Sequence, residues 1–211
     1  MNLKYELHKM HNKFLENASP ETISILKKTA EKLAKERIED RALKVGDKLP
    51  SFMLKNAVGD TIESDELLEA GPLVINFYRG AWCPYCNVEL AGYQEILSEI
   101  HAAGAQLIAV SPELPDSSLS LIDKHALKYE ILSDINNAVA RELGLVFSLT
   151  EEMQKLYKEF GIDLFKSQGN SAYELPVPAT YVVDESGTVI LSYVDIDYTT
   201  RMEPEEVLTV L

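Results

Sequence analysis

Apolar residues in the N-terminal stretch recur at helical intervals. Leu3, Leu7, Met10 and Phe14 fall at spacings of four, three and four, which is one face of a helix over 3–17. Ser19-Pro20 then reads as an N-cap and a first-turn proline. Ile23, Leu26, Ala30, Leu33 and Arg37 carry a second helical stripe to about Asp40. Both apolar stripes are narrow and need cover. The main domain is one candidate cover; a second copy of the chain, giving a homodimer through these helices, is the other.

Beyond Gly46-Asp47-Lys48-Leu49-Pro50 the period changes to that of short strands. Residues 51–54 and 61–63 flank the turn signal Val58-Gly59-Asp60 and predict a hairpin. The run Leu73-Val74-Ile75-Asn76-Phe77-Tyr78 suits a strand covered on both faces. A helix is expected from Pro84 to about Ala103, with Leu90, Tyr93, Leu97 and Ile100 on one side and Gly104 as its stop. A strand over 106–110, a helix over 117–128, a strand over 131–133 and helices over 137–143 and 151–160 follow. Residues 161–178 read as a long loop with Gly169, Asn170 and Ser171 at its tip. Residues 180–183 and 189–193 flank Asp184-Glu185-Ser186-Gly187 as a second hairpin, and a short acidic helix over 203–210 closes the chain. This order predicts an α/β fold, a mixed central sheet flanked by helices. It divides the chain into a helical arm over 1–44 and a domain over 45–211.

A length of 211 residues suits one domain with an added segment. A chain of that size buries roughly 70% of its unfolded surface and needs no disulfide staple. With 20 basic against 34 acidic residues, the formal charge is −14, which argues against nucleic-acid or anionic-membrane partners. The acidic surface serves solubility or docks a basic partner. The longest apolar run, 73–78, is far too short to span a bilayer, and the first residues carry no apolar signal core. The only two cysteines lie three residues apart and cannot tie distant parts of the fold together. A reducing, cytoplasmic compartment is the expectation.

Those two cysteines carry the chemistry. In Arg79-Gly80-Ala81-Trp82-Cys83-Pro84-Tyr85-Cys86 a buried strand leads into a helix whose first residue is Pro84, so Cys83 takes the N-cap position. Its sulfur then faces unpaired backbone N–H groups and the positive end of the helix dipole, which favour the reactive thiolate. Cys86 lies one turn on, on the same face and within disulfide reach. Arg79 stands where it can add positive charge near either sulfur, or else be a solvated strand-end charge. Structural zinc needs about four ligands, which His8 and His11 would have to complete from the arm. Haem attachment needs histidine where Asn87 stands. Neither metal nor cofactor is therefore expected. Asn76 cannot act as a base at working pH and reads as a polar core residue, while His101 and His125 read as surface positions.

Trp82-Cys83-Pro84-Tyr85-Cys86 after an apolar strand resembles the redox site of the thioredoxin superfamily, and Val177-Pro178-Ala179-Thr180 resembles its cis-proline loop. That likeness implies a cis Pro178 beside the two sulfurs. The wider layout, over about 45–200, is similar to the peroxiredoxin (alkyl hydroperoxide reductase and thiol-specific antioxidant) family. The two likenesses imply different nucleophiles. The thioredoxin register makes Cys83 attack and Cys86 resolve. The peroxiredoxin register puts the peroxidatic cysteine at Cys86, with Cys83 in the place of the family's threonine and Arg79 near that of its proline. The family's late arginine, expected just before Thr180, is absent there. Together they imply an oxidoreductase that reduces hydrogen peroxide or alkyl hydroperoxides through a Cys83–Cys86 dithiol, recycled by a thioredoxin-like donor. The rivals are a thiol–disulfide oxidoreductase acting on protein or small-molecule disulfides and a non-enzymatic redox sensor.

Overall fold

In the computed structural model, which describes residues 1–211, a seven-stranded sheet runs in the order β2 (Thr61–Glu63), β1 (Met53–Asn56), β5 (Glu130–Ser133), β4 (Gln106–Ser111), β3 (Leu73–Phe77), β8 (Ala179–Val183) and β9 (Val189–Val194). The β3–β4 and β4–β5 pairs are parallel, whereas β8 joins β3 antiparallel, with Thr180 opposite Asn76 and Ala179 opposite Phe77. The sheet is therefore mixed, as the order of elements implied. Every residue of β3 is buried. Alternation along it serves two cores, one on each side of the sheet. Leu73, Ile75 and Phe77 join Ile108, Val110 and Leu132. Val74 and Tyr78 join Leu90, Tyr93 and Ile100 from α5 (Pro84–Glu95) and α6 (Leu97–Ala102).

The N-terminal helices α1 (Leu3–Asn17) and α2 (Pro20–Glu36), followed by the short α3 (Ile38–Arg41), pack on the rest of the same chain. The side chains of Asn2 and Ser19 cap the two long helices by accepting from Tyr5 N and Thr22 N. Glu203 accepts from the amides of Leu3 and Lys4 at 2.9 and 2.8 Å, which sets a carboxylate on the positive end of α1. Leu3 and Leu7 enter the core that holds the cysteines. Leu33 and Ile38 enter a third cluster with Leu149, Met153 and Leu156. Each such burial contributes about 1.5–3 kcal/mol.

Several expectations are corrected. The helix from Pro84 breaks at Ile96 (φ −104°, ψ 9°). Ile96 and Leu97 both bury in the same core, and neighbours 100° apart on one straight helix do not share a narrow face. The helix expected over 117–128 is α7 (Pro115–His125), because Pro115 takes its first position and Ala126 ends it in the left-handed region (φ 50°). Residues 161–178 are not one long loop. They hold α10 (Leu164–Gln168), capped by Asp163, and β7 (Glu174–Pro176), which pairs with the unforeseen β6 (Val146–Ser148). Finally, no peptide bond is cis. Pro178 is trans, set between Val177, whose N donates to Leu145 O at 2.9 Å, and Ala179, which pairs with Phe77. The remaining elements are α4 (Ser64–Glu69), a 3₁₀ turn over Ile135–Asn137 that leads into α8 (Ala138–Glu142), shorter than the expected 137–143, then α9 (Glu151–Glu159) and a closing 3₁₀ turn over Pro204–Thr209 where an α-helix over 203–210 was expected.

Candidate active site

The turn between β3 and α5 is built by its own sequence. Gly80 (φ 150°) takes a conformation that suits glycine, and a Cβ there would lie 2.4 Å from Trp82 Nε1 and 2.9 Å from the Glu113 carboxyl carbon. Glu113 accepts from Ala81 N at 2.6 Å, and Asn87 Nδ2 donates to Ala81 O at 2.9 Å. These contacts set Cys83 as the N-cap of α5, with Pro84 in the first turn.

Both cysteines are free thiols with no exposed surface. The Cys83 sulfur accepts from Cys86 N at 3.4 Å and from the Cys86 thiol, whose sulfur lies 2.8 Å away. Closing a disulfide of about 2.05 Å needs a shift of under an ångström. Two buried guanidinium groups reach the pair, and both stay protonated. Arg79 Nη2 donates to Cys83 Sγ at 3.2 Å, and its Nη1 donates to Tyr157 Oη at 3.0 Å. The same guanidinium lies 3.8 Å over the Tyr198 ring and 5.2 Å from that of Trp82. Arg201 donates from Nε to Glu89 Oε2 at 2.7 Å, and its Nη2 faces Cys86 Sγ at 3.7 Å. The other Glu89 oxygen accepts from Asn76 Nδ2 at 3.0 Å. Asn76 also donates to Thr180 Oγ1, which is in turn paired with Tyr93 Oη.

Burial opposes ionisation of Cys83, but the Cys86 thiol bond and the charges of Arg79 and Arg201 outweigh it, holding Cys83 well below the ordinary thiol value. Burial, then the bond to Cys83 and its negative charge, hold Cys86 well above that value. The two shifts run in opposite directions, Cys83 down and Cys86 up. Burial also raises Glu89, against the pull of Arg201 and Asn76.

Arg79, Trp82, Cys83, Pro84, Tyr85 and Cys86 converge. Trp82 lies edge-on to Tyr157 with centroids 5.4 Å apart, and Tyr85 meets Tyr198 at 5.6 Å. Arg79 is no solvated strand-end charge, being 5% exposed. Thr180 braces the strand from inside the core, while Pro178 lines a cavity that Arg79 also lines. His8 pairs with Asn12 on the arm, and no cluster of three or more His, Cys, Asp or Glu side chains suited to a metal forms. Sequence reasoning missed Glu89, Glu113, Tyr157, Tyr198 and Arg201. Glu89 had a signal, because Cys86, Glu89, Leu90 and Tyr93 follow helical spacing and put a carboxylate on the buried face. Arg201 had none, since only the tertiary fold carries it to the sulfurs.

Residues 45–192 match the AhpC/TSA family, 148 of the chain's 211 positions. The chain belongs to that family. It is similar to the chloroplastic peroxiredoxin Q of Gentiana triflora, 30% identical over 144 residues that make up 68% of this chain and 56% of that protein. It is also similar to peroxiredoxin Bcp of Escherichia coli, 26% identical over 103 residues, or 49% of this chain and 65% of that one. The chain thus spans little more than half the length of the plant relative. Among solved structures, peroxidoxin BcpB of Mycobacterium tuberculosis shares the fold, with a TM-score of 0.63, 20% identity and coverage of 80% of this chain and 96% of that one. No helix is long and apolar enough to cross a membrane.

Proposed function

We propose that this chain is a thiol-dependent hydroperoxide reductase in which Cys83 attacks and Cys86 resolves. One observation carries the reading: the Cys83 sulfur accepts both from Arg79 at 3.2 Å and from the Cys86 thiol at 2.8 Å, which is the setting of a thiolate. The thiolate attacks the terminal oxygen of R–O–O–H, forming an S–O bond as the O–O bond breaks and its electron pair leaves on RO⁻. A proton converts RO⁻ to the alcohol, or to water when R is hydrogen. The Cys86 sulfur then displaces hydroxide from the Cys83 sulfenic acid, closing Cys83–Cys86 and releasing water. A thioredoxin-like dithiol returns both electrons through two exchanges. Cytoplasmic residence suits that donor.

Exchange with a protein disulfide is the weaker reading, because neither sulfur is exposed to an approaching disulfide whereas a peroxide is small. A homodimer through the arm has less support than self-packing, since Leu3, Leu7 and Leu33 are already buried within the chain. The test is a steady-state assay with a hydroperoxide, thioredoxin and its reductase. Sulfenic acid trapped in Cys86→Ser and not in Cys83→Ser supports these roles; the reverse pattern exchanges them. Insulin reduction without peroxide turnover would transfer the chain to the disulfide class.

A further inference from the structure

One buried ionisable group beside the cysteines has no part in the chemistry above. Glu113 stands between β4 and α7 and is buried. Its carboxylate enters the turn that carries the reactive sulfur. Oε2 accepts from Ala81 N at 2.6 Å, and Cys83 N closes the same turn on Gly80 O at 3.0 Å. The carboxyl carbon and Trp82 Nε1 both press on Gly80 so closely that a Cβ there has no room. Glu89, the other buried carboxylate of the site, is paired with Arg201 at 2.7 Å. Glu113 has no such cation, and one amide is its donor. Two ionisable groups act on it: Cys83, and Tyr78 at the end of β3, which burial keeps protonated. Asp116 of α7 and Lys166 of α10, on the elements flanking its loop, are exposed. A buried carboxyl without a cation holds its proton, and a neighbouring thiolate strengthens that hold. Such coupling is reciprocal, so losing the thiolate loosens the proton.

We propose that Glu113 is the proton store of the redox cycle, holding a proton beside Cys83 while that sulfur is a thiolate and releasing it when oxidation takes the charge away. This deepens the hydroperoxide reductase reading and rests on it. The reduced site then holds a Cys83 thiolate, a Cys86 thiol and a Glu113 carboxylic acid. Attack puts the terminal peroxide oxygen on Cys83 and leaves RO⁻, which needs one proton to become the alcohol. The hydroxide displaced by Cys86 takes the Cys86 thiol proton and departs as water. The sulfurs supply no proton for the alkoxide, and Glu113 releases one as the thiolate disappears. A dithiol donor later returns two electrons and two protons. One proton restores the Cys86 thiol, the other restores Glu113, and Cys83 becomes a thiolate again. The closed cycle exchanges no net proton with solvent. One negative charge stays in the site throughout, on sulfur when reduced and on the carboxylate when oxidised. Glu113 acts through the charge on Cys83, as a positioning residue for a proton. Burial and the Cys83 charge hold it at about 7 in the reduced state, so the release falls just below that pH.

The test is the midpoint potential of the Cys83–Cys86 couple in the full chain, set against a dithiol–disulfide buffer from about pH 5 to 8. Each proton taken up with the two electrons changes the equilibrium tenfold per pH unit, or about 30 mV. Cys86 accounts for one such proton. Just below about pH 7 the wild-type slope should exceed one proton and move towards two. Glu113→Gln, which keeps an oxygen for Ala81, should hold to one proton across the range. A merely structural role would shift the potential by a constant and leave the slope alone. Oxidised-minus-reduced infrared spectra of the wild type in the same window should lose the C=O stretch of a protonated carboxyl, at a frequency that ¹³C-labelled glutamate moves. That spectrum needs no variant, so it decides even where glutamine impairs folding. A wild-type slope of one proton throughout, a steeper slope that glutamine leaves unchanged, or no carboxyl band overturns the inference and leaves the reductase reading intact. Failure of mild oxidant to close Cys83–Cys86 overturns the reductase reading, and this inference with it.

Discussion

Glu113 is the buried charge with the least support, and replacing it by glutamine should free the protein from a pH-dependent loss of stability. Its side chain is 2% exposed, Ala81 N is its hydrogen-bond donor, and no salt bridge reaches it. Burial pushes its pKa from 4.5 up to about 7; the Ala81 amide pulls it down, and the Cys83 thiolate pushes it further up. The folded state therefore binds this proton more tightly than the unfolded chain does. Its contribution to stability is complete below the unfolded value and is lost as pH rises through about 7. At about 1.36 kcal/mol per pH decade, the span from 4.5 to about 7 amounts to about 3 kcal/mol. Glutamine keeps an oxygen for Ala81 and never ionises. Urea unfolding of reduced wild type and Glu113→Gln at pH 5 and pH 8 measures the difference. The variant should gain on the wild type by about 2.5 kcal/mol between those pH values, because part of the full span is already lost at pH 5. Stabilities that stay parallel from pH 5 to 8 would refute the reasoning, since they would mean that Glu113 titrates alike folded and unfolded.

Arg79→Met keeps the bulk of the side chain and removes its charge, so the Cys83 pKa should rise and iodoacetamide labelling of Cys83 at pH 7 should slow at least about tenfold; labelling at the wild-type rate would dismiss Arg79 as the source of activation. Gly80→Ala forces a Cβ to within 2.4 Å of Trp82 and should cost about 1–3 kcal/mol in urea unfolding, with loss of the Trp82 fluorescence environment. Oxidation to the Cys83–Cys86 disulfide removes the anion beside buried Arg79, a loss of about 3–5 kcal/mol. That exceeds the roughly 2 kcal/mol returned by closing so short a loop. The reduced protein should therefore melt above the oxidised one by calorimetry, and the opposite order would contradict the charge argument.

The parts of this structure legible in the sequence are those set by neighbours along the chain. β3 announces itself as an apolar run, α1 by the spacing of Leu3, Leu7, Met10 and Phe14, and Cys83 as an N-cap by Pro84. What stayed hidden depends on contacts between remote segments. β6 and β7 are three residues each and pair across about thirty positions, too short for either to show a period of its own. The break at Ile96 follows from the shape of the core that receives it. Pro178 is trans where the local motif implied cis. In the site, Asn76 was legible as a polar core residue, but its partner Glu89 took its meaning only from Arg201, 112 positions away.

The arginines also bear on the conflict between the two family registers over the nucleophile. Both sulfurs start a helix and both have a cation at hand, so dipole and charge alone do not separate them. The difference lies in what each cation already holds. Arg201 is bound to Glu89 at 2.7 Å, and its remaining donor stands 3.7 Å from Cys86. Arg79 has no carboxylate, and its nearest negative partner is the Cys83 sulfur at 3.2 Å. An unneutralised buried guanidinium favours an anion beside it more than one already paired does. In the proposed reading the thiolate therefore forms at Cys83, which leaves Cys86 protonated. When attack turns Cys83 into a sulfenic acid, its negative charge and its acceptor role vanish together. Two of the influences that hold Cys86 high, its bond to Cys83 and the charge on that sulfur, go with them. Arg201 remains to favour the second thiolate. The order of ionisation, first Cys83 and then Cys86, is thus enforced by consuming the first charge, with no base required to move.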